Sequence, residues 1–279
     1  MAEKRVIKFR IWRYDPDSNG KPTYKEYDVP LSSKVTTVLE ALDYIKANLD
    51  HTLSFRASCR MAICGSDGMI INGKPMLACQ ARIDDLTKNT NVIEIRPMEN
   101  YKVIRDVVPD LTPLFEKHKK VKPYLMYKDE KEQFNPTGEF IQSREELDLF
   151  NQFTYCIKCG LCYSACPVVA ADEEFLGPQA LAQAFRYCVD SRDQGLEERL
   201  KILDDKHGVW GCHFSGSCSA VCPKGVDPAQ GIQLLKQLII AYRLGVRKVK
   251  HEPVVKPLNT EFKPNPKIPL APPFTAKKA

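Results

Sequence analysis

The chain has 279 residues, 43% of them hydrophobic and 27% charged. That balance excludes a disordered chain and leaves room for two modest globular domains, each with its own core. Its net charge of +6 suits an acidic partner, an anionic membrane surface or simply a solvated basic face, and no Lys/Arg block is long enough to indicate nucleic acid.

The first hundred residues read as a small β-rich unit. Ile7, Phe9 and Ile11 alternate with Lys8, Arg10 and Trp12, as in a strand with one buried face. A turn is expected in Asp15-Pro16-Asp17-Ser18-Asn19-Gly20, and a second strand around Tyr24 to Val29. Thr37-Val38-Leu39-Glu40 spells a capping box, and Val38, Leu42, Ile45 and Leu49 continue from it at helical spacing. A cysteine-bearing loop comes next, then Met69–Ile71, an Asn72-Gly73 turn and a closing strand at Val92–Arg96. Strand, hairpin, helix, loop and strand in this order predict a β-grasp ferredoxin domain over 1–105.

Residues 106–142 hold Pro109, Pro113, Pro123 and Pro136 and read as an irregular connector. From Ser143 the signals turn helical. Leu147 and Phe150 lead into a second cysteine group, a helix is expected over Gln179 to Val189, and Ile232, Leu235, Ile239 and Tyr242 stripe a final helix. No run reaches the roughly 18 apolar residues of a membrane span, because Leu234 to Val246 is interrupted by Lys236, Gln237 and Arg243. The tail, 251–279, is rich in proline and lysine and is expected to be extended or to order along a neighbour. The fold class expected is α+β, a β-grasp domain followed by a helical, bacterial-ferredoxin-like domain over 143–250.

The eleven cysteines carry the chemistry. The start, MAEKRVIKFR, has no apolar signal segment, and an odd, clustered count argues against disulfides. Zinc is the closer rival, but structural zinc sites pair two CxxC knuckles, whereas CxxCxxCxxxCP offers four thiolates and a proline in the ferredoxin manner. The first group, Cys59, Cys64 and Cys79, follows the plant-type [2Fe–2S] spacing with Asp67 in the third ligand position. Asp67 is either an oxygen ligand to iron or a turn residue in Gly65-Ser66-Asp67-Gly68, with water at the metal. Gly65 and Gly68 are expected to permit the unusual backbone angles of such a loop.

In the second group, the fourth cysteine of CxxCxxCxxxCP serves the other cluster. Cys156, Cys159 and Cys162 are therefore completed by Cys222 in a [4Fe–4S] site. Cys166 joins Cys212 and Cys218, and in that half the middle cysteine is replaced by Ser215. Three thiolates predict a [3Fe–4S] cluster; the alternative is four irons with Ser215 or water on the fourth. Cys188 has no partner spacing and is expected to be a buried small apolar residue.

At these motifs the chain resembles the iron–sulfur subunit of the succinate dehydrogenase/fumarate reductase family. The likeness runs from about residue 5 to 245 and includes Ser58–Ser66 (SCRMAICGS), Cys156–Tyr163 (CIKCGLCY), Phe175–Pro178, Asp190–Asp193 and Val221–Pro228 (VCPKGVDP). Asp67 in the third ligand position is similar to some bacterial succinate dehydrogenases, while other members keep cysteine there. The resemblance implies a chain that carries electrons between the covalent FAD of a flavoprotein subunit and membrane quinone through all three clusters. Membrane anchor subunits would hold it on the cytoplasmic face of a prokaryotic plasma membrane. The absence of a GxGxxG fits a subunit that holds no dinucleotide itself. The resemblance also points to Pro167, His213, Gln233 and Lys236 as quinone contacts. Tryptophans follow the Cys-Pro pair in some ubiquinone-using members; Val168-Val169-Ala170-Ala171 stands there instead, and the wording around the clusters is closer to fumarate reductases. Two rival readings are a freestanding multi-cluster carrier and a related subunit of another oxidase or a disulfide reductase. The long helical half and basic balance weigh against the first, the plant-type loop with Ser215 against the second.

Overall fold

The computed structural model describes residues 5–18, 20–32, 35–129, 134–135, 138–246 and, for the backbone, 254–257. Strands β1 (Val6–Arg13), β2 (Thr23–Pro30), β3 (Gly68–Ile71), β4 (Lys74–Leu77) and β5 (Val92–Arg96) form one sheet in the order β2-β1-β5-β3-β4. β1 and β5 run parallel and the other neighbours antiparallel, which is the mixed sheet of a β-grasp fold. The alternation in β1 works as expected: Ile7, Phe9 and Ile11 are buried, while Lys8 and Arg10 remain partly in water. Helix α1 (Val38–Asn48) starts at the Thr37–Glu40 capping box, with Glu40 amide donating to Thr37 Oγ1 and Thr37 amide to Glu40 Oε2. Val38, Leu42 and Ile45 enter the sheet's core. Leu49 does not; it caps the helix and is exposed.

The segment expected to be irregular is so over 121–129 but not before it. Val103–Arg105 pairs with Val108–Pro109, and Thr112–Lys120 is a helix. Pro113 sits in its first turn, where a missing N–H costs nothing, so proline begins this helix instead of breaking it. Val254–Pro257 of the tail pairs antiparallel with Gly138–Ile141, so that part of the tail is ordered along its own chain. The rest of the tail lies outside the described residues.

The helical half surrounds a second core built on Pro178–Cys188 and Pro228–Arg243, with Phe150, Phe153, Phe175, Leu181 and Leu235 among its buried members. Ile232, Leu235 and Ile239 face inward as their spacing predicts, whereas Tyr242 at the far end is exposed. Cys188 is buried in this core. Arg199, fully buried, pairs with Asp193 at 2.6 Å and donates to the carbonyls of Lys122 and Tyr124, tying the connector to the helices. A third small cluster, Leu77, Met98, Cys159 and Leu161, with Ala62 and Cys79 against it, joins the two halves.

Candidate iron–sulfur centres and an adjoining cavity

The loop between α1 and β3 is bent by positive φ at Arg60, Ala62 and Gly65. That conformation turns amides inward. Met61, Ile63 and Cys64 donate to Cys59 Sγ at 3.2–3.4 Å, Cys59 to Cys64 Sγ at 3.5 Å, and Ala62 to Cys79 Sγ at 3.2 Å. Gly68, expected to share this role, has no positive φ; a side chain there would press on Met98 and Leu161, so close packing explains it. Asp67 is only 2% exposed. Its Oδ2 accepts the Cys79 amide at 2.6 Å, and its Oδ1 is buried with no hydrogen-bond partner. Hydrogen bonds from Ser66 and from the Cys59 amide lower the Cys64 thiol pKa to about 6, whereas burial, then Asp67, pushes Cys79 up to about 12.

The helical half contains a structural repeat. Positive φ at Lys158 and Gly160, then a short helix Leu161–Ser164 and Cys166-Pro167, recur as Phe214 and Gly216, Ser217–Ala220 and Cys222-Pro223. In this register Cys156 corresponds to Cys212, Cys162 to Cys218, and Cys159 to Ser215. The crosswise grouping follows from how the two copies meet. Cys156, Cys159, Cys162 and Cys222 line one enclosed cavity. Burial, reinforced by Cys156 and Cys222, pushes the Cys159 thiol up to about 12. Burial raises Cys162 well above its ordinary value, with Cys159, Cys156, Cys218 and Cys222 adding to it. Cys218 is raised to about 11 by burial, with Cys166 and Cys212 as its thiol neighbours. The two groups are therefore {156, 159, 162, 222} and {166, 212, 218}, with Cys162 and Cys218 at their junction.

These residues fit iron–sulfur clusters on three observations. Thiolates crowded into a buried site repel one another, and a cation among them relieves both that repulsion and the cost of burial. Amides already aim at the sulfurs. The orphaned Oδ1 of Asp67 is an oxygen donor waiting for a partner. The loops also abut: a Cβ at Gly65 would stand 2.8 Å from Cys159 Cβ.

Beside the {166, 212, 218} group lies a cavity of about 560 Å³ lined by Pro167, Val168, Ala171, Trp210 and His213 together with Asp172, Lys206 and His207. Of the four expected quinone contacts, Pro167 and His213 are in its wall. Gln233 and Lys236 are not: Lys236 Nζ donates to the Cys212 carbonyl at 2.8 Å, and Gln233 Nε2 is buried without a hydrogen-bond partner. Sequence reasoning passed over Trp210, Asp172 and His207. The aromatic wall comes from Trp210, ahead of Cys212, and not from the residues after Cys166-Pro167; its one legible signal is that closeness to a clustered cysteine.

A β-grasp sheet with a cysteine loop, joined to a helical repeat carrying two thiol groups, defines a ferredoxin-type iron–sulfur protein. Residues 8–116 match a family of 2Fe-2S iron-sulfur cluster binding domains, and residues 152–226 match a family of 4Fe-4S dicluster domains. The fumarate reductase iron–sulfur subunit of Mycobacterium tuberculosis is 49% identical over 230 residues, 82% of this chain and 91% of that protein. That of Escherichia coli is 43% identical over 233 residues, 84% and 93% of the two chains. A chain of the Mycobacterium smegmatis Sdh1 complex in the apo form superposes with a TM-score of 0.75 at 25% identity, over 91% of this chain and all of that one. The chain belongs to the family of iron–sulfur subunits of fumarate reductase and succinate dehydrogenase.

Proposed function

We propose that this chain carries electrons between the FAD of a flavoprotein subunit and membrane quinone. A β-grasp domain over 1–105 would hold a [2Fe–2S] cluster through Cys59, Cys64, Asp67 and Cys79. A connector over 106–142 links it to a helical domain over 143–250. There Cys156, Cys159, Cys162 and Cys222 hold a [4Fe–4S] cluster, and Cys166, Cys212 and Cys218 a [3Fe–4S] cluster. When bound, the clusters supply one-electron carriers between a two-electron flavin and a two-electron quinone.

The chain's own residues give this relay its order and its tuning. Contact of Gly65 with Cys159 keeps the first and second ligand groups adjacent, and Cys162 beside Cys218 does the same for the second and third. Amides aimed at Cys59 and Cys79 stabilise the more reduced, more negative state of whatever they surround. Asp67 contributes a harder oxygen donor through Oδ1. Ser215 keeps a fourth thiolate out of the third site. Quinone is assigned to the cavity of Pro167, Trp210 and His213, with Lys236 outside its wall steadying the Cys212 backbone.

Among the described residues no helix is long and apolar enough to cross a membrane, so attachment to the cytoplasmic face is assigned to separate anchor subunits. The carrying observation is the thiol grouping, four and three, set by a repeat in which Ser215 replaces one cysteine. Electron paramagnetic resonance of the anaerobically isolated complex tests it. An oxidised-state signal of a three-iron centre supports the reading, and its absence contradicts it.

A further inference from the structure

A row of side chains in the cavity wall is not used by electron transfer. His207 Nδ1 is hydrogen-bonded to Asp172 Oδ2 at 2.7 Å, and its Nε2 lies 2.8 Å from Glu174 Oε2. The second contact is off axis, so the buried Nε2 has no aligned hydrogen bond. Asp172 and His207 line the cavity, whereas the Glu174 side chain is 76% exposed. Exposure falls from Glu174 at the solvent end to His207 and Asp172, whose side chains are 25% and 32% exposed at the cavity wall. Backbone bonds hold it there: the Glu174 amide donates to Asp172 Oδ1, the Leu176 amide to the His207 carbonyl, and the His207 amide to Asp205 Oδ1.

The three side chains lie close together, with a ring nitrogen and one oxygen of each carboxylate within 4.8 Å of one another. The carboxylates meet opposite nitrogens of the ring. A ring with an acid close to each nitrogen, 2.7 Å and 2.8 Å away, is an arrangement through which a proton can pass.

We propose that Glu174, His207 and Asp172 form a proton relay between solvent and a quinone in this cavity. The inference rests on reading the cavity as the quinone site. Reduction adds two electrons, arriving from the flavoprotein side, and two protons to one quinone to give one quinol. For each proton, Glu174 delivers to Nε2, the imidazolium releases its Nδ1 proton to Asp172, and Asp172 passes it to a reduced quinone oxygen; a ring turn restores the starting tautomer. Oxidation of quinol runs the same path outward. The ionisable groups near the row are Lys206 and His213 in the cavity wall, Asp205 below the His207 amide, and Lys117, whose charge is felt beside Asp172 and Glu173.

The test uses the isolated membrane complex carrying His207→Gln or, since that variant alters a partly buried position, the solvent-exposed Glu174→Gln. Turnover is measured with a short-chain quinone analogue and with ferricyanide, which takes an electron and no proton. For His207→Gln the quinone rate should fall at least about tenfold, its solvent deuterium isotope effect should rise, and added imidazole should restore part of the rate. Ferricyanide turnover should hold. Glu174→Gln should give a smaller loss with the same isotope signature. Quinone rates and isotope effects equal to the parent in both variants overturn the relay. Val168→Trp, which fills the cavity, separates the two readings. If it raises the KM for quinone while the relay variants are silent, only the relay falls; if it leaves quinone kinetics untouched, the cavity assignment falls with it.

Discussion

Replacing Gly65 by alanine probes the contact that brings the two halves of the relay together. Gly65 has φ +71°, and an added Cβ would lie 2.8 Å from Cys159 Cβ, 3.0 Å from Cys159 Cα and 3.3 Å from the Ile157 carbonyl oxygen. The left-handed conformation costs an L-residue about 1–2 kcal/mol. Forcing a methyl onto a neighbouring backbone costs about 1–3 kcal/mol more, because backbone cannot swing aside as a flexible side chain would. The expected loss is about 2–5 kcal/mol, or a fall in melting temperature of roughly 4–20 °C at about 2–4 °C per kcal/mol. Gly73→Ala is the control. It has φ +77° but nothing within 4 Å of its Cβ, so it bears only the conformational term. Calorimetry of the two variants in the assembled complex isolates the inter-loop contact. A Gly65→Ala protein that melts no lower than Gly73→Ala refutes the reasoning.

Restoring the missing thiolate with Ser215→Cys should convert the three-iron centre to a four-iron one, read as loss of its oxidised-state paramagnetic signal; retention of that signal counts against the repeat register. Arg199→Ala strands the buried Asp193 carboxylate and frees two carbonyls, an expected cost of about 3–5 kcal/mol, checked by denaturant unfolding, where a loss under about 1 kcal/mol contradicts it. Burial opposes ionisation of Asp50, yet hydrogen bonds from Lys25, Thr52, Tyr27 and Arg13 hold its pKa far below the usual carboxylate range. A depressed folded pKa contributes stability that is complete above the unfolded value of about 3.9 and drains away as pH falls toward the folded one. Asp50→Asn should therefore be less stable at neutral pH and lose less between about pH 4 and 2; an unchanged acid slope would show that Asp50 does not supply it.

Much of the first half was legible because its signals are local. The Thr37–Glu40 box, the β1 alternation and the Asn72-Gly73 turn each depend on neighbours a few residues away. Cysteine spacing was legible for a similar reason, since the repeat places Cys156 against Cys212 and Cys159 against Ser215 without knowledge of the helices between them. Proline misled where its position in an element mattered, as at Pro113 in a first helical turn. Long-range packing stayed hidden. Nothing in Gly68 distinguishes a strained loop residue from one pressed by Met98 and Leu161. Trp210, Asp172 and His207 converge on one cavity only because the Asp172 turn and the segment before Cys212 pack together. Lys236 is a quinone contact only by the family resemblance, and the fold turns its amine onto the Cys212 carbonyl.

The most direct test of the relay is a redox titration of the complex, isolated without oxygen, followed by paramagnetic resonance alongside iron and acid-labile sulfide analysis. The account predicts three distinguishable centres, of two, three and four irons, with sulfide to match and the three-iron centre paramagnetic when oxidised. Zinc in place of iron, or iron without labile sulfide, would contradict it.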